Sequence, residues 1–200
     1  MHVLPLFPSL LFSTTIEEDT DELKEDKTCL NSYESGKESE KEDIRVLERY
    51  PNIKKILLNE WNSLVKVFLK YDNEFIISTS WITNTYPDSY SQKHIHKHSF
   101  YSGIYYFDEY SEESAKIEIA NPLTDKENFN LIPTEYNMNN SKVWWVQPTP
   151  KQLIFFPSYL EHQILKQQDD AIRKSLAFNI IPTGEYGQAD SFINTSWFKN

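Results

Sequence analysis

The sequence predicts a mainly β fold, a double-stranded β-helix (jelly roll) with N-terminal helices packed on one sheet. Three observations predict it. After Phe75 the chain reads as short segments rich in Ile, Val, Phe, Tyr and Trp, separated by Pro-, Asn- and Asp-bearing turns. One strongly amphipathic helical stretch precedes them. No alternation of strand and helix patterns follows, which argues against a βαβ sheet.

Taken in order, Met1 to Phe12 is apolar but has no Lys or Arg before it and is interrupted by Pro5 and Pro8. It reads as an opening strand or extended arm rather than a signal peptide. Thr15 to Glu18 fits a capping box, which predicts a helix running through Leu23. Asn31 to Asp43 is polar and predicts a loop. Ile53, Ile56, Leu57, Trp61, Leu64, Val65 and Phe68 recur at three- and four-residue steps, with Pro51 where a first-turn proline is tolerated. Strands are expected at Glu74–Ile82, Phe100–Phe107, Lys116–Ala120, Val143–Gln147, Gln152–Phe156, Gln163–Lys166 and Ser175–Ile181. Thr124 to Ser141 is a long polar loop. Residues 1–50 are read as an arm and acidic extension and 51–200 as the jelly-roll domain, one domain overall.

The net charge is −10, and Glu17 to Asp43 holds twelve acidic residues against four lysines, leaving the rest near neutral. No basic, aromatic-interleaved patch suggests nucleic acid, and no apolar run approaches the ~20 residues of a membrane span. The one cysteine, Cys29, excludes an intramolecular disulfide and a multi-cysteine zinc site. A cytoplasmic protein is expected, and exposed strand edges leave room for a homodimer.

Four of the five histidines lie in strand-like sequence. In Lys-His-Ile-His-Lys-His, His94 and His96 are two apart, so in an extended chain they share a face at roughly 6.5–7 Å. His162 opens a later strand and can supply a third imidazole. Zinc, iron, copper and nickel all suit such donors. Arg173 follows His162 by eleven residues, with Ser175 two further on. A short hairpin would put His162 and Arg173 on neighbouring strands, both directed inward. An inward arginine needs an anion, and a guanidinium with a nearby hydroxyl binds a carboxylate. 2-Oxoglutarate fits, its keto acid end on the metal and its far carboxylate on Arg173. The alternative is a surface arginine paired with Asp169 or Asp170. Tyr105 and Tyr106 alternate faces, so one enters the site. Ser102-Gly103 marks a bulge or a close ligand approach.

The chain resembles the 2-oxoglutarate/Fe(II)-dependent dioxygenases, and within them a compact group common in phage genomes. The resemblance rests on Leu6-Phe7-Pro8, Thr79-Ser80-Trp81, the run from His94 to Phe107, Asn121-Pro122, Leu153 to His162, and Arg173 to Asn179. It implies Fe(II) on His94, His96 and His162, and 2-oxoglutarate held by Arg173, Ser175 and Tyr105. It further implies O2 consumption with release of succinate and CO2 and hydroxylation of an unidentified peptide side chain or small molecule. One departure stands out: His96 occupies the position where the family carries Asp or Glu. Either both His94 and His96 ligate, or one does with a carboxylate such as Asp108 or Glu118. His98 is read as a rim residue and Asn179 as a strand hydrogen-bonding residue. The alternatives are a non-catalytic cupin-like metal- or ligand-binding module and a cupin-type dioxygenase without a cosubstrate.

Overall fold

The computed structural model describes residues 2, 7–30, 43–124, 129 and 131–198. The expected loop from Asn31 lies outside the described residues up to 42, as do Leu6 and residues 125–128 and 130 of the long loop. Ten strands are described: β1 (Phe12–Thr15), β2 (Glu74–Thr85), β3 (Tyr101–Tyr105), β4 (Ile117–Ala120), β5 (Val143–Val146), β6 (Gln152–Pro157), β7 (His162–Ile164), β8 (Arg173–Thr183), β9 (Glu185–Tyr186) and β10 (Ile193–Asn194). One α-helix, α1 (Pro51–Leu64), stands before β2. The major sheet runs β1-β6-β3-β8-β2 and the minor sheet β5-β4-β7, all pairs antiparallel. His94 adds one bridged pair to the free side of β7. This is the expected jelly roll.

The two faces of the major sheet bury different things. On one face lie Leu153, Phe155, Leu176, Phe178 and Ile180, covered by Ile53, Leu57 and Trp61 of α1. Trp61 is fully buried, its ring 4.9 Å from Tyr101, 5.3 Å from Phe75 and 5.6 Å from Phe155. Burying one such aromatic stabilises by roughly 2–3 kcal/mol relative to exposing it. The other face looks into the sandwich, where Ile104, Ile154 and Phe156 pack against Ile117 and Ile119 of β4.

Several expectations are corrected. The capping-box helix does not form. Thr15 instead pairs with Gln152 as the end of β1, and only a short 3-10 turn follows, at Asp21–Glu25, burying Leu23. The strand pairing satisfies the backbone groups that a helix start would have needed. The α-helix ends at Leu64 and Val65–Leu69 is a π turn, in which Val65 stays in the core as expected. The wider turn rotates Phe68 to the surface and brings Leu69 against the core instead. Gly103 marks no bulge, since its register on β6 and β8 is unbroken, and with Ser102 it lines the cavity between the sheets. The ring of Phe178 crosses it so closely that a Cβ would lie 2.2 Å from that ring. Among the described residues, no helix is long and apolar enough to cross a membrane.

Candidate metal centre and cosubstrate site

His94 and His162 face one another across an antiparallel pair, each backbone N–H donating to the other's carbonyl at 3.0 Å. Residues opposed in this way direct their side chains to the same face. His96 is fixed two residues on by its own N–H, which donates to Ser158 O at 3.1 Å. Its ring lies 5.0 Å from both other imidazoles. One ring nitrogen from each lies within 4.8 Å of the others, close enough to converge on a single ion.

Two of the rings are oriented by backbone carbonyls. His94 Nδ1 is 2.8 Å from Gln92 O, and His162 Nδ1 is 2.9 Å from Leu160 O. With the proton held on Nδ1 in both, each Nε2 is left as a lone-pair donor. His96 makes no ring hydrogen bond among the described residues; its neighbour is the Trp81 indole, 5.5 Å away. Burial, reinforced by the other imidazoles, pushes His162 down to about 3 and His96 to about 4. Both are therefore neutral and ready to bind a metal at physiological pH.

The carboxylates considered as substitutes lie elsewhere. Glu118 points outward, accepting from Trp145 Nε1 and Gln163 Nε2 at 2.9 Å each and lying 3.2 Å from Lys93 Nζ. Asp108 accepts from Glu109 N–H. Neither joins the histidine cluster. His98 sits at φ +64 in the turn leading to β3 and also stays outside it.

The histidines open onto a cavity of about 570 Å³ whose wall includes Ser175, Ala177, Ile104 and Phe156. Arg173 lies behind Ser175 and is 1% exposed, so the surface pairing with Asp169 or Asp170 does not occur. Its Nη1 donates to Ser175 Oγ at 3.2 Å, and its guanidinium lies 5.2 Å from the Tyr106 ring centroid. Nε and Nη2 are buried without any hydrogen-bond partner. His162 and Arg173 are not on neighbouring strands, because β7 belongs to the minor sheet and β8 to the major one. The link between them crosses the sandwich, so the two residues come from opposing walls.

Tyr105 is turned away from the site. It pairs with Leu176, packs in the α1-side core and makes a 2.6 Å hydrogen bond with Thr20. Tyr106 is the member of the pair that reaches the sandwich interior beside Arg173. The turn at Lys97-His98 breaks the strand parity that would have distinguished them. Ser91 was not singled out by sequence reasoning. Its Oγ accepts from Ile164 N–H at 2.7 Å, leaving its own hydrogen for the cavity.

The donor set fits a divalent iron-type ion, and the unpaired guanidinium fits a carboxylate. A sequence-family model described as "Putative 2OG-Fe(II) oxygenase" matches residues 79–179, just over half of the chain. No curated protein matches the chain. Among solved structures, it is similar to an oxidoreductase of the 2OG-Fe(II) oxygenase family from Burkholderia pseudomallei (TM-score 0.42, 12% identity, 55% of this chain and 46% of that one). It is also similar to a Pseudomonas putida prolyl-4-hydroxylase (0.43, 14%, 61% and 60%). A third is HygX from Streptomyces hygroscopicus with nickel and 2-oxoglutarate bound (0.48, 13%, 70% and 71%). The match spans less than two thirds of the first two of these proteins. On the strength of the family match, which runs through all three histidines, Arg173 and Ser175, the chain belongs to the 2OG-Fe(II) oxygenase family.

Proposed function

We propose that the protein is an Fe(II)- and 2-oxoglutarate-dependent dioxygenase that hydroxylates a C–H bond of a substrate, releasing succinate and CO2. His94, His96 and His162 hold the metal, which supplies the O2-dependent oxidising chemistry when bound. Arg173 and Ser175 hold the far carboxylate of 2-oxoglutarate. The observation that carries this reading is Arg173 itself: a buried cation with two unmet N–H donors, joined through Ser175 to the cavity of the three histidines. A buried guanidinium without an anion is costly, and a bidentate carboxylate removes that cost.

The chain's own groups then have distinct tasks. Ser175 Oγ accepts from Arg173, so its hydrogen points onward to the same carboxylate. Tyr106 is kept neutral by burial, against the pull of the Arg173 charge, and braces the guanidinium with its ring. Ile104, Phe156 and Ala177 exclude water around the cosubstrate. Three neutral imidazoles leave the metal one charge unit more positive than a site with a carboxylate would, which favours the dianion.

Anaerobic titration of the Fe(II) protein with 2-oxoglutarate tests the reading. A visible charge-transfer band should grow to saturation, and Arg173→Ala should weaken binding about tenfold to a hundredfold, the range for a hydrogen-bonded charge pair. If no band forms and the protein holds zinc tightly, the cupin-like binding module is favoured instead.

A further inference from the structure

Thr79 owes its orientation to a β-bulge. The register of β2 on β8 passes from Ile77 opposite Ile180 to Thr79 opposite Asn179, leaving Ser78 unpaired. Residues two apart in a strand share a face, so without the extra residue Thr79 would follow Ile77 into the Trp61 core. The bulge turns Thr79, and with it Trp81 and Thr83, into the cavity.

A hydrogen-bond chain then sets the direction of the Thr79 hydroxyl. Asn179 Nδ2 donates to Thr79 Oγ1 at 3.0 Å, and Ser102 Oγ donates to Asn179 Oδ1 at 2.9 Å. That uses the single hydrogen of Ser102, so Ser158, 2.8 Å away, donates to Ser102. The chain ends at Thr79, whose own hydrogen meets no acceptor among the described residues and faces the cavity.

The wall beside it is apolar. Trp81 lies against His96. Leu30 and Ile44 extend the surface and are pinned to the outer edge of β2: Leu30 N–H donates to Ile82 O, and Ser80 N–H donates to Ile44 O. Histidines aside, the one charged side chain on the cavity wall among the described residues is Lys93, and it is paired with Glu118.

We infer that Thr79, Trp81, Leu30 and Ile44 form the primary-substrate subsite, and that it takes a neutral carboxamide. The apolar part of the substrate packs on Trp81 beside the metal, and its carbonyl oxygen accepts from Thr79. Among the described residues a carboxylate there would meet no unpaired Lys or Arg, and an ammonium would meet a donor. This subsite rests on the reading of the histidines as the metal site and of Arg173 as the 2-oxoglutarate anchor.

Saturation-transfer NMR tests it on Zn(II)-loaded protein saturated with 2-oxoglutarate, with N-acetyl-L-leucine methylamide and free leucine as probes. The capped amide should bind and free leucine should not. Thr79→Val should weaken the amide about fivefold, the worth of one neutral hydrogen bond. Thr79→Ser should restore binding, and 2-oxoglutarate affinity should stay unchanged in both variants. Equal binding to wild type and Thr79→Val, no binding of the amide, or preference for free leucine overturns the subsite. Failure of 2-oxoglutarate to bind wild-type protein would instead overturn the cosubstrate reading, and the subsite with it.

Discussion

The two faces of β8 show how one strand divides its labour. Leu176, Phe178 and Ile180 point toward α1 and are fully buried in a continuous apolar core. Arg173, Ser175, Ala177 and Asn179 alternate with them and point into the sandwich. From Leu176 to Ile180 the first face is apolar. The other carries a buried guanidinium with unmet donors, a hydroxyl committed to that guanidinium, and an amide in a directed relay. A buried charge left with unmet donors marks where a ligand belongs, because folding alone gives no reason to keep it.

If that division is right, damage to the faces separates into stability and binding. The largest stability loss should come from Trp61→Ala, about 3–5 kcal/mol for a fully buried aromatic, read by denaturant unfolding. Surviving folded protein should keep its 2-oxoglutarate affinity. On the opposite face, Arg173→Met should cost about 1.5–3 kcal/mol of 2-oxoglutarate binding. It should leave the thermal midpoint of the ligand-free protein unchanged or raised, since an unpaired buried charge is removed. Calorimetry and a thermal melt on the same sample distinguish the two effects; a fall in both would mean that Arg173 is structural. Gly103→Ala probes the boundary between the faces. Its methyl would strike the Phe178 ring, and a loss of about 1–3 kcal/mol is expected from overpacking.

A smaller effect should appear with pH in the metal-free protein. His162 and His96 titrate near 3 and 4 when folded and near 6.5 when unfolded. Below 6.5 the unfolded chain takes up protons that the folded one refuses. This contribution to stability is therefore complete above 6.5 and is lost as pH falls toward 4 and then 3. The melting midpoint should drop over that window, and His162→Gln should flatten the drop.

Much of this was legible in the sequence, because strand periodicity and residue chemistry are local. The seven expected strands fall within a few residues of their bounds, only the short β9 and β10 going unforeseen, and the three histidines converge as their types and spacing suggested. What was not legible depends on a residue's partner or on one inserted residue. Thr15 fits a capping box, yet pairing with Gln152 claims it for a strand. Phe68 fits the helical stripe until the π turn rotates it outward. The parity of Tyr105 and Tyr106 is hidden by the turn at His98, and the inward aim of Thr79 by the bulge at Ser78. His162 and Arg173 are close in sequence but lie on opposite sheets, which only the sheet order reveals.

Three histidines and Arg173 together, on this reading, make a working cosubstrate site. Succinate formation by the Fe(II) protein supplied with 2-oxoglutarate and O2, in the absence of any added substrate, tests it most directly. Slow uncoupled succinate production is predicted, abolished in His162→Ala and strongly reduced in Arg173→Met. No succinate from wild-type protein holding its full complement of iron, or equal production by Arg173→Met, would contradict it.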